Sequence, residues 1–539
     1  MTSEVRQLIL KRDAVARKLQ SCHPNPVSDF QNDLKRLRKI TKSKLRREAK
    51  EYGRSLLTGS DSTRDAWKFL RETTFTTSKG ERVSMDASIL NDHLAATVQM
   101  PKQADLSDIS GCDNSECFTL STLNVVDTLQ MLVRLPSRTA TGPDELPANL
   151  LKQLAPSIAE NLTFIMNSCI TQEKFPNQWK EANVAAIWKG KGSKGDPSNY
   201  RPISILPVLA RMFEKMIAKQ LTRYCHANSI IPTEQFGFRA SSSCELALLS
   251  ALNNWMEEID NGKVVGALLI DLSKAFDTVP HQQLLSELLG LGCDGSTVQF
   301  FKSYLSGRKQ RVKQGATLTE WRDVTRGVPQ GSSISPLLFN IFVRKLPSVS
   351  NSPTIQFADD VTNSEADKSE QIVAYRLAES FQQTKTFCEN HELMINTAKT
   401  QFVVFKQPSR KLSPDYAITL DGLTIMPSGT VKLLGVTLDQ HLTFGSHIDS
   451  TVKKARGVLG SIARAASHLP RELLRMAYLA LARSLYRVRQ CYICFNISNS
   501  VSETRQSPED GCQNHLSCTC PSPFGPSAGI AAVRTFGDS

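Results

Sequence analysis

Two apolar runs in this chain end in carboxylates, and that pattern restricts the fold more than any other feature. Residues 265–270, VGALLI, stop at Asp271, while Ile355, Phe357 and Ala358 lead into Asp359 and Asp360. Short apolar runs of this kind read as buried strands, so both acidic sites stand at strand tips. Carboxylates converging there repel by up to ~4 kcal/mol per pair at about 4 Å and an effective dielectric near 20. A cation between them removes that cost. Oxygen-only ligands with no histidine or cysteine nearby suit Mg²⁺ or Mn²⁺, which take carboxylates together with substrate phosphates. The chemistry indicated is phosphoryl transfer on a nucleotide.

The chain has 539 residues and a formal net charge of +13. A single core rarely grows past roughly 250–300 residues, so several subdomains are expected. The charge is concentrated at the front, where residues 1–50 carry 14 Lys and Arg against 5 Asp and Glu. Within that stretch LKRLRKITKSKLRREAK (34–50) alternates basic and aliphatic residues at helical spacing, which predicts a basic amphipathic helix. Lys35, Arg36, Arg38, Arg46 and Arg47 are its candidate phosphate contacts, of a kind that weakens as salt rises. No apolar run is long enough to span a bilayer, and the first residues carry charges where a signal peptide needs an apolar stretch. The sequence therefore predicts an intracellular protein, nuclear or cytoplasmic, with no membrane partner. Its 13 scattered cysteines follow no disulfide framework and are expected to be reduced.

Three words of the sequence carry a family likeness. ALLIDLSKAFDTVPH (267–281), GVPQGSSISPLLFN (327–340) and IQFADDVT (355–362) resemble, in that order, motifs A, B and C of reverse transcriptases. SNYRPISILPVLARMFEKMIAKQL (198–221), EQFGFRASSSCELAL (234–248) and VKLLGVTLDQHLTF (431–444) narrow the likeness to the non-LTR retrotransposon type, jockey-like in flavour. It spans roughly residues 135–485, and against that family the chain reads as truncated at both ends.

The resemblance implies an α/β (α+β) polymerase right hand with helical fingers, a palm built on a small antiparallel sheet, and a partial helical thumb. Its boundaries are a basic helical extension (1–74), a linker or poorly ordered stretch (75–134), fingers and the start of the palm (135–265), the palm with motifs A to E (266–445), a partial thumb (446–485) and an irregular tail (486–539). It also implies RNA-templated DNA synthesis from a primer, with an RNA template, a DNA primer or target and dNTPs as partners; oligomeric state stays open. In such a site Asp271 and Asp359, with Asp360 as a third, hold two Mg²⁺ roughly 3.5–4 Å apart. Lys189 and Arg201 grip the triphosphate, Arg as a fork and Lys as a point charge. Phe276 lies beneath the sugar, leaving no space for a 2′-hydroxyl, and with Ala358 speaks against an RNA-copying polymerase. Gln330 faces the nascent base pair or its template nucleotide, Gly331 lets the backbone approach the nucleotide closely, Lys399 offers a proton to pyrophosphate, Arg239 reaches the template, and residues 433–439 resemble a primer-grip hairpin.

Local patterns fill in the remainder. Residues 58–74 suggest a capped helix with Trp67 and Phe69 on its apolar face, and 75–117 read as a linker. Gly142 and Pro143 predict a turn before a helix with Leu150, Leu151 and Leu154 on one face. Val184 to Trp188 reads as a strand entering a fingertip hairpin. Met212, Phe213, Met216, Ile217 and Leu221 are spaced for a helix against a core; Val452, Ala455, Val458, Leu459 and Ile462 are spaced for a thumb helix. No nuclease signature occurs in 1–130. Beyond about 485 periodicity is lost in a Ser-, Pro-, Gly- and Cys-rich tail, read as a slipped frame or exon boundary rather than as a zinc site. A rival reading keeps the fold without the enzyme, as an RNA-binding relic or maturase-like protein.

Overall fold

Strand β3 (Val264–Ser273) is the backbone of the architecture, because its ten residues are apolar enough to be covered on both faces. A computed structural model describes residues 3–21, 28–58, 67, 69–70, 85–98, 117–137, 139–190 and 192–487. In it β3 lies between β8 (Asp360–Asp367) and β10 (Gln401–Phe405), with β7 (Thr354–Phe357) outside β8, all antiparallel. The last residues of β3 pair instead with the short β9 (Met394–Ile395). The helix Glu370–Asn390 covers one face of the sheet through Val373, Leu377 and Phe381. Burying side chains of this size contributes roughly 1.5–3 kcal/mol each.

The second sheet contains the predicted hairpin, β1 (Glu181–Trp188) and β2 (Tyr200–Ile205), antiparallel in register Ile187 to Arg201. Its other neighbours were not legible in advance. β4 (Arg308–Gln314) runs parallel to β1, and β5 (Thr317–Leu318) and β6 (Arg322–Val324) pair with β4. Residues 308–324, expected within the palm interval, thus complete the sheet of 181–205, and a cut of the chain at 265 does not separate the two sheets. Two small hairpins follow, β11 (Ile418–Leu420) with β12 (Leu423–Ile425), and β13 (Thr430–Leu433) with β14 (Val436–Asp439).

Several expectations need correction. Residues 85–98 and 117–134, read as linker, contain the helices Ala87–Val98 and Val125–Val133. Leu90 and Leu94 pack on Val184 and Val312, and Leu120 and Leu132 enter the main core. The scarcity of long apolar runs hid them, because each helix buries only a narrow stripe. Of the three leucines placed on one face, Leu151 is buried but Leu150 and Leu154 are exposed; Leu150 is turned about 100° from its neighbour Leu151 in the helix Ala148–Gln153, and Leu154 caps that helix before a new one, Ala155–Thr171, begins. The helix Val208–Ala227 buries all five predicted residues.

In the helix Gly445–Ala465, Ala455 and Ile462 are buried and Leu459 is exposed. Ile462 shares a cluster with Leu70, Leu469 and Leu473, against which Trp67 and Phe69 pack. The basic helix Ser28–Thr58 reaches the same cluster, with Tyr52 and Phe69 ring centroids 5.4 Å apart. Lys35, Arg36, Arg38 and Arg47 are exposed on it and Arg46 is half-buried. No helix among the described residues is long and apolar enough to cross a membrane. The expectations for 59–66, 68, 71–84, 99–116 and the tail from 488 lie outside the described residues.

Candidate active site

Antiparallel pairing puts the acidic residues together. Asp271, near the end of β3, is the direct cross-strand partner of Asp360, the first residue of β8. Directly opposed residues have Cβ atoms about 4.5–5.5 Å apart on the same face. Asp359 belongs to the two-residue turn joining β7 to β8, whose strands close at Phe357 and Asp360. Ala358 makes that turn with φ of +58°, a left-handed conformation held by its surroundings.

The electrostatics record the crowding. Burial, then Asp359 and Asp271, push the Asp360 carboxyl up to about 6, against a downward pull from Arg201. Asp359 is raised for the same reasons, burial first and the Asp271 charge after it. Lys399 brings its Nζ to 3.4 Å from Asp271 Oδ2. The sequence-predicted proton donor therefore sits against a site carboxylate.

These residues offer oxygen ligands alone, and burial together with mutual repulsion raises two of the three, which is the donor chemistry a divalent cation fits. Among the described residues no group of three or more His, Cys, Asp and Glu is gathered tightly enough to hold an ion by itself. The carboxylates make an open set, whose remaining positions phosphate oxygens can complete.

A buried amide clamp aims the turn. Gln235 Oε1 accepts from the backbone N–H of Ala358 at 3.0 Å and from that of Gly237 at 2.8 Å. Gln356 Nε2 donates to the Ala358 carbonyl at 2.9 Å, and Asn340 Nδ2 donates to the Gly237 carbonyl at 2.8 Å. Residues 234–236 add backbone bonds to Gln356, from Phe236 N–H at 2.8 Å and to Glu234 O at 2.9 Å. Gly237 fits this junction because a Cβ there would lie 2.2 Å from Ala358 N. Sequence reasoning missed Gln235, Gln356 and Asn340. The available signal was Gln356, a polar residue at an inward position of an apolar strand, where burial requires hydrogen-bond partners.

The motif around Phe276 and Gln330 forms the neighbouring wall. Gln330 Nε2 donates to both Asp277 carboxylate oxygens, at 2.9 and 3.0 Å. The side chain expected at the base pair is thus tethered to Asp277. Burial raises Asp277 to about 6 in spite of that bond and of Lys274 and Lys189 nearby. The Gln330 carbonyl accepts from Ser204 N–H at 2.7 Å, and Gly331, at φ of +126°, leaves no room for a Cβ beside Ser204 O. The hairpin that carries Lys189 and Arg201 is thereby bound to the loop carrying Gln330. Lys189 Nζ donates to Ser198 O at 2.9 Å. Arg239, expected at a template, donates from Nη1 to Pro232 O at 3.0 Å within its own loop.

Residues 189–438 match the family model described as reverse transcriptase (RNA-dependent DNA polymerase). A probable RNA-directed DNA polymerase from transposon X-element of Drosophila melanogaster is 27% identical over 470 residues, 81% of this chain and 50% of that protein. A probable RNA-directed DNA polymerase from transposon BS of the same organism is 30% identical over 341 residues, covering 62% and 37%. The RNA-directed DNA polymerase from its mobile element jockey is 28% identical over 339 residues, covering 61% and 36%. The chain spans half the length of these relatives or less. Every residue of the acidic site, the clamp and the Gln330 wall falls inside the matched interval.

Proposed function

We propose, on the premise that this chain carries a reverse transcriptase domain of the non-LTR retrotransposon kind, that it extends a primer with deoxynucleotides on an RNA template. The observation that carries the reading is the cross-strand pair Asp271 and Asp360 with Asp359 on the adjoining turn. Reverse transcriptases depend on divalent metal, and in this chain Asp271, Asp359 and Asp360 are the residues to hold it. Held by these carboxylates, a divalent ion would supply a lowered pKa at the primer 3′-hydroxyl and neutralisation of charge on the leaving pyrophosphate.

The chain's own groups perform positioning and charge compensation, which is most of what phosphoryl transfer asks of a protein. Arg201, whose charge is felt at both Asp359 and Asp360, binds the triphosphate as a planar fork. Lys189, on the same hairpin, adds a point charge. Phe276 presents an apolar ring to the sugar and leaves a 2′-hydroxyl unpaired. Gln330 holds its wall through Asp277, and Lys399, beside Asp271, is placed to give a proton to pyrophosphate. In this reading the β1–β2–β4 sheet and its helices are the fingers, the β3 sheet is the palm, and the helices from Gly445 to Arg487 are a partial thumb. The exposed basic face of Ser28–Thr58 tracks the backbone of the RNA template or the DNA primer, and the protein works inside the cell, in the nucleus or the cytoplasm.

The test uses purified full chain, poly(rA) with an oligo(dT) primer, Mg²⁺ and labelled dTTP, with Asp359→Ala beside the parent. Incorporation by the parent and its loss in Asp359→Ala is the expected result. Binding of RNA by both proteins with incorporation by neither overturns the polymerase in favour of an RNA-binding relic.

A further inference from the structure

We infer that Phe238 is a specificity-determining residue, which fixes the Phe276 ring and through it the limit on the 2′ position of the incoming sugar. The inference rests on the polymerase reading above. Phe238 is 58% exposed and adopts φ of +56°, so neither its burial nor its backbone serves folding; strain of this sort collects at functional sites. The neighbours on both sides hold it there. Gly237 is clamped at N–H and carbonyl by Gln235 and Asn340, each at 2.8 Å, and Arg239 is tied back to Pro232. Between these two anchors Phe238 presents a large, exposed apolar ring against Phe276.

That ring meets Phe276 at a centroid distance of 6.1 Å and an interplanar angle of 85°, the edge-to-face arrangement aromatic pairs favour. Phe276 in turn stacks on the buried Phe339 at 4.3 Å and 21°, and its carbonyl accepts from Val328 N–H at 2.8 Å. Phe276 is therefore fixed at its backbone, backed by Phe339 on the core side and abutted by Phe238 on the open side. A ring that excludes a hydroxyl by volume does so only while it cannot swing away, and Phe238 supplies that restraint.

The experiment compares kcat/KM for dUTP and UTP, which differ only at the 2′ position, on poly(rA) with an oligo(dT) primer. It uses the full chain as parent, Phe238→Ala, Phe238→Gly and Phe238→Tyr. The dUTP-to-UTP ratio is expected to fall roughly ten-fold in the Ala and Gly variants and to recover in Tyr, which restores the ring. Glycine suits the left-handed backbone, so misfolding does not stand behind a loss in that variant. A ratio that stays at the parent value, or losses equal for both nucleotides as a template contact would give, overturns the inference while the polymerase stands. A parent that incorporates neither nucleotide overturns the polymerase reading and this inference with it.

Discussion

Gly237→Ala adds one methyl group at the point where the 234–237 segment crosses the turn bearing Asp359. The new Cβ would stand 2.2 Å from Ala358 N, 2.9 Å from Phe357 C and 3.0 Å from Ala358 Cα. All three are backbone atoms, so no side chain can rotate out of the way. Relief from 2.2 Å to the 3.4 Å of ordinary contact needs a movement of about 1.2 Å. Part of that movement falls on the Ala358–Asp359 turn, because Gly237 is itself held by Gln235 and Asn340. Displacement near 1 Å at a reacting centre costs on the order of 100-fold in rate, and overpacking of this kind costs about 1–3 kcal/mol of stability. Primer extension and chemical denaturation measure the two. Gly457→Ala is the control, since it lies in the helix Gly445–Ala465 with nothing within 4 Å of its Cβ and gains about 1 kcal/mol from helix propensity. A folded Gly237→Ala protein with the parent's kcat would show that the clamp does not aim the aspartates.

Two further outcomes follow from the charges. Asp360, raised to about 6, takes up its proton as pH falls through that value and ceases to be a good ligand. The Mg²⁺ concentration giving half-maximal incorporation should therefore climb between pH 7.5 and 5.5, and the climb should flatten in Asp360→Asn; equal slopes in both proteins would refute the assignment. Asp277 has a folded pKa of about 6 against an ordinary 3.8, so the folded state holds the proton more tightly than the unfolded one. Stability from this group is greatest below pH 3.8 and is lost as pH rises through 6. Asp277→Asn, which keeps an acceptor for Gln330, should be more stable than the parent at pH 8 and lose that advantage below pH 4. Denaturation curves at both pH values decide it, and an advantage unchanged by pH would count against burial as the cause.

The strand tips and the five-residue buried stripe of Val208–Ala227 were legible because a strand or helix writes its period into neighbouring residues. The β1–β2 hairpin was legible for the same reason, with Gly- and Lys-rich punctuation between two extended runs. Leu150 misled because it stands one residue, about 100° of helical turn, from the buried Leu151, and Leu154 because the helix ends there. The side-chain tethers of Gln330 to Asp277 and of Arg239 to Pro232 were not legible, since they depend on neighbours that spacing alone does not bring together.

What the sequence determined by itself is chemistry: which residues carry charge, which runs are apolar enough to be strands, and hence that carboxylates stand at strand ends in a likeness to reverse transcriptases. The tertiary structure decided the pairing. Asp271 faces Asp360 across the ladder while Asp359 stands on the turn, because antiparallel register, set by side-chain packing over the whole sheet, chooses the opposing residue. It also decided that β1 runs beside β4, that Gln235 holds the Ala358 turn and that Asn340 holds Gly237 beside it. These contacts join residues more than a hundred positions apart, where the local period carries no information and only the burial of polar groups demands a partner.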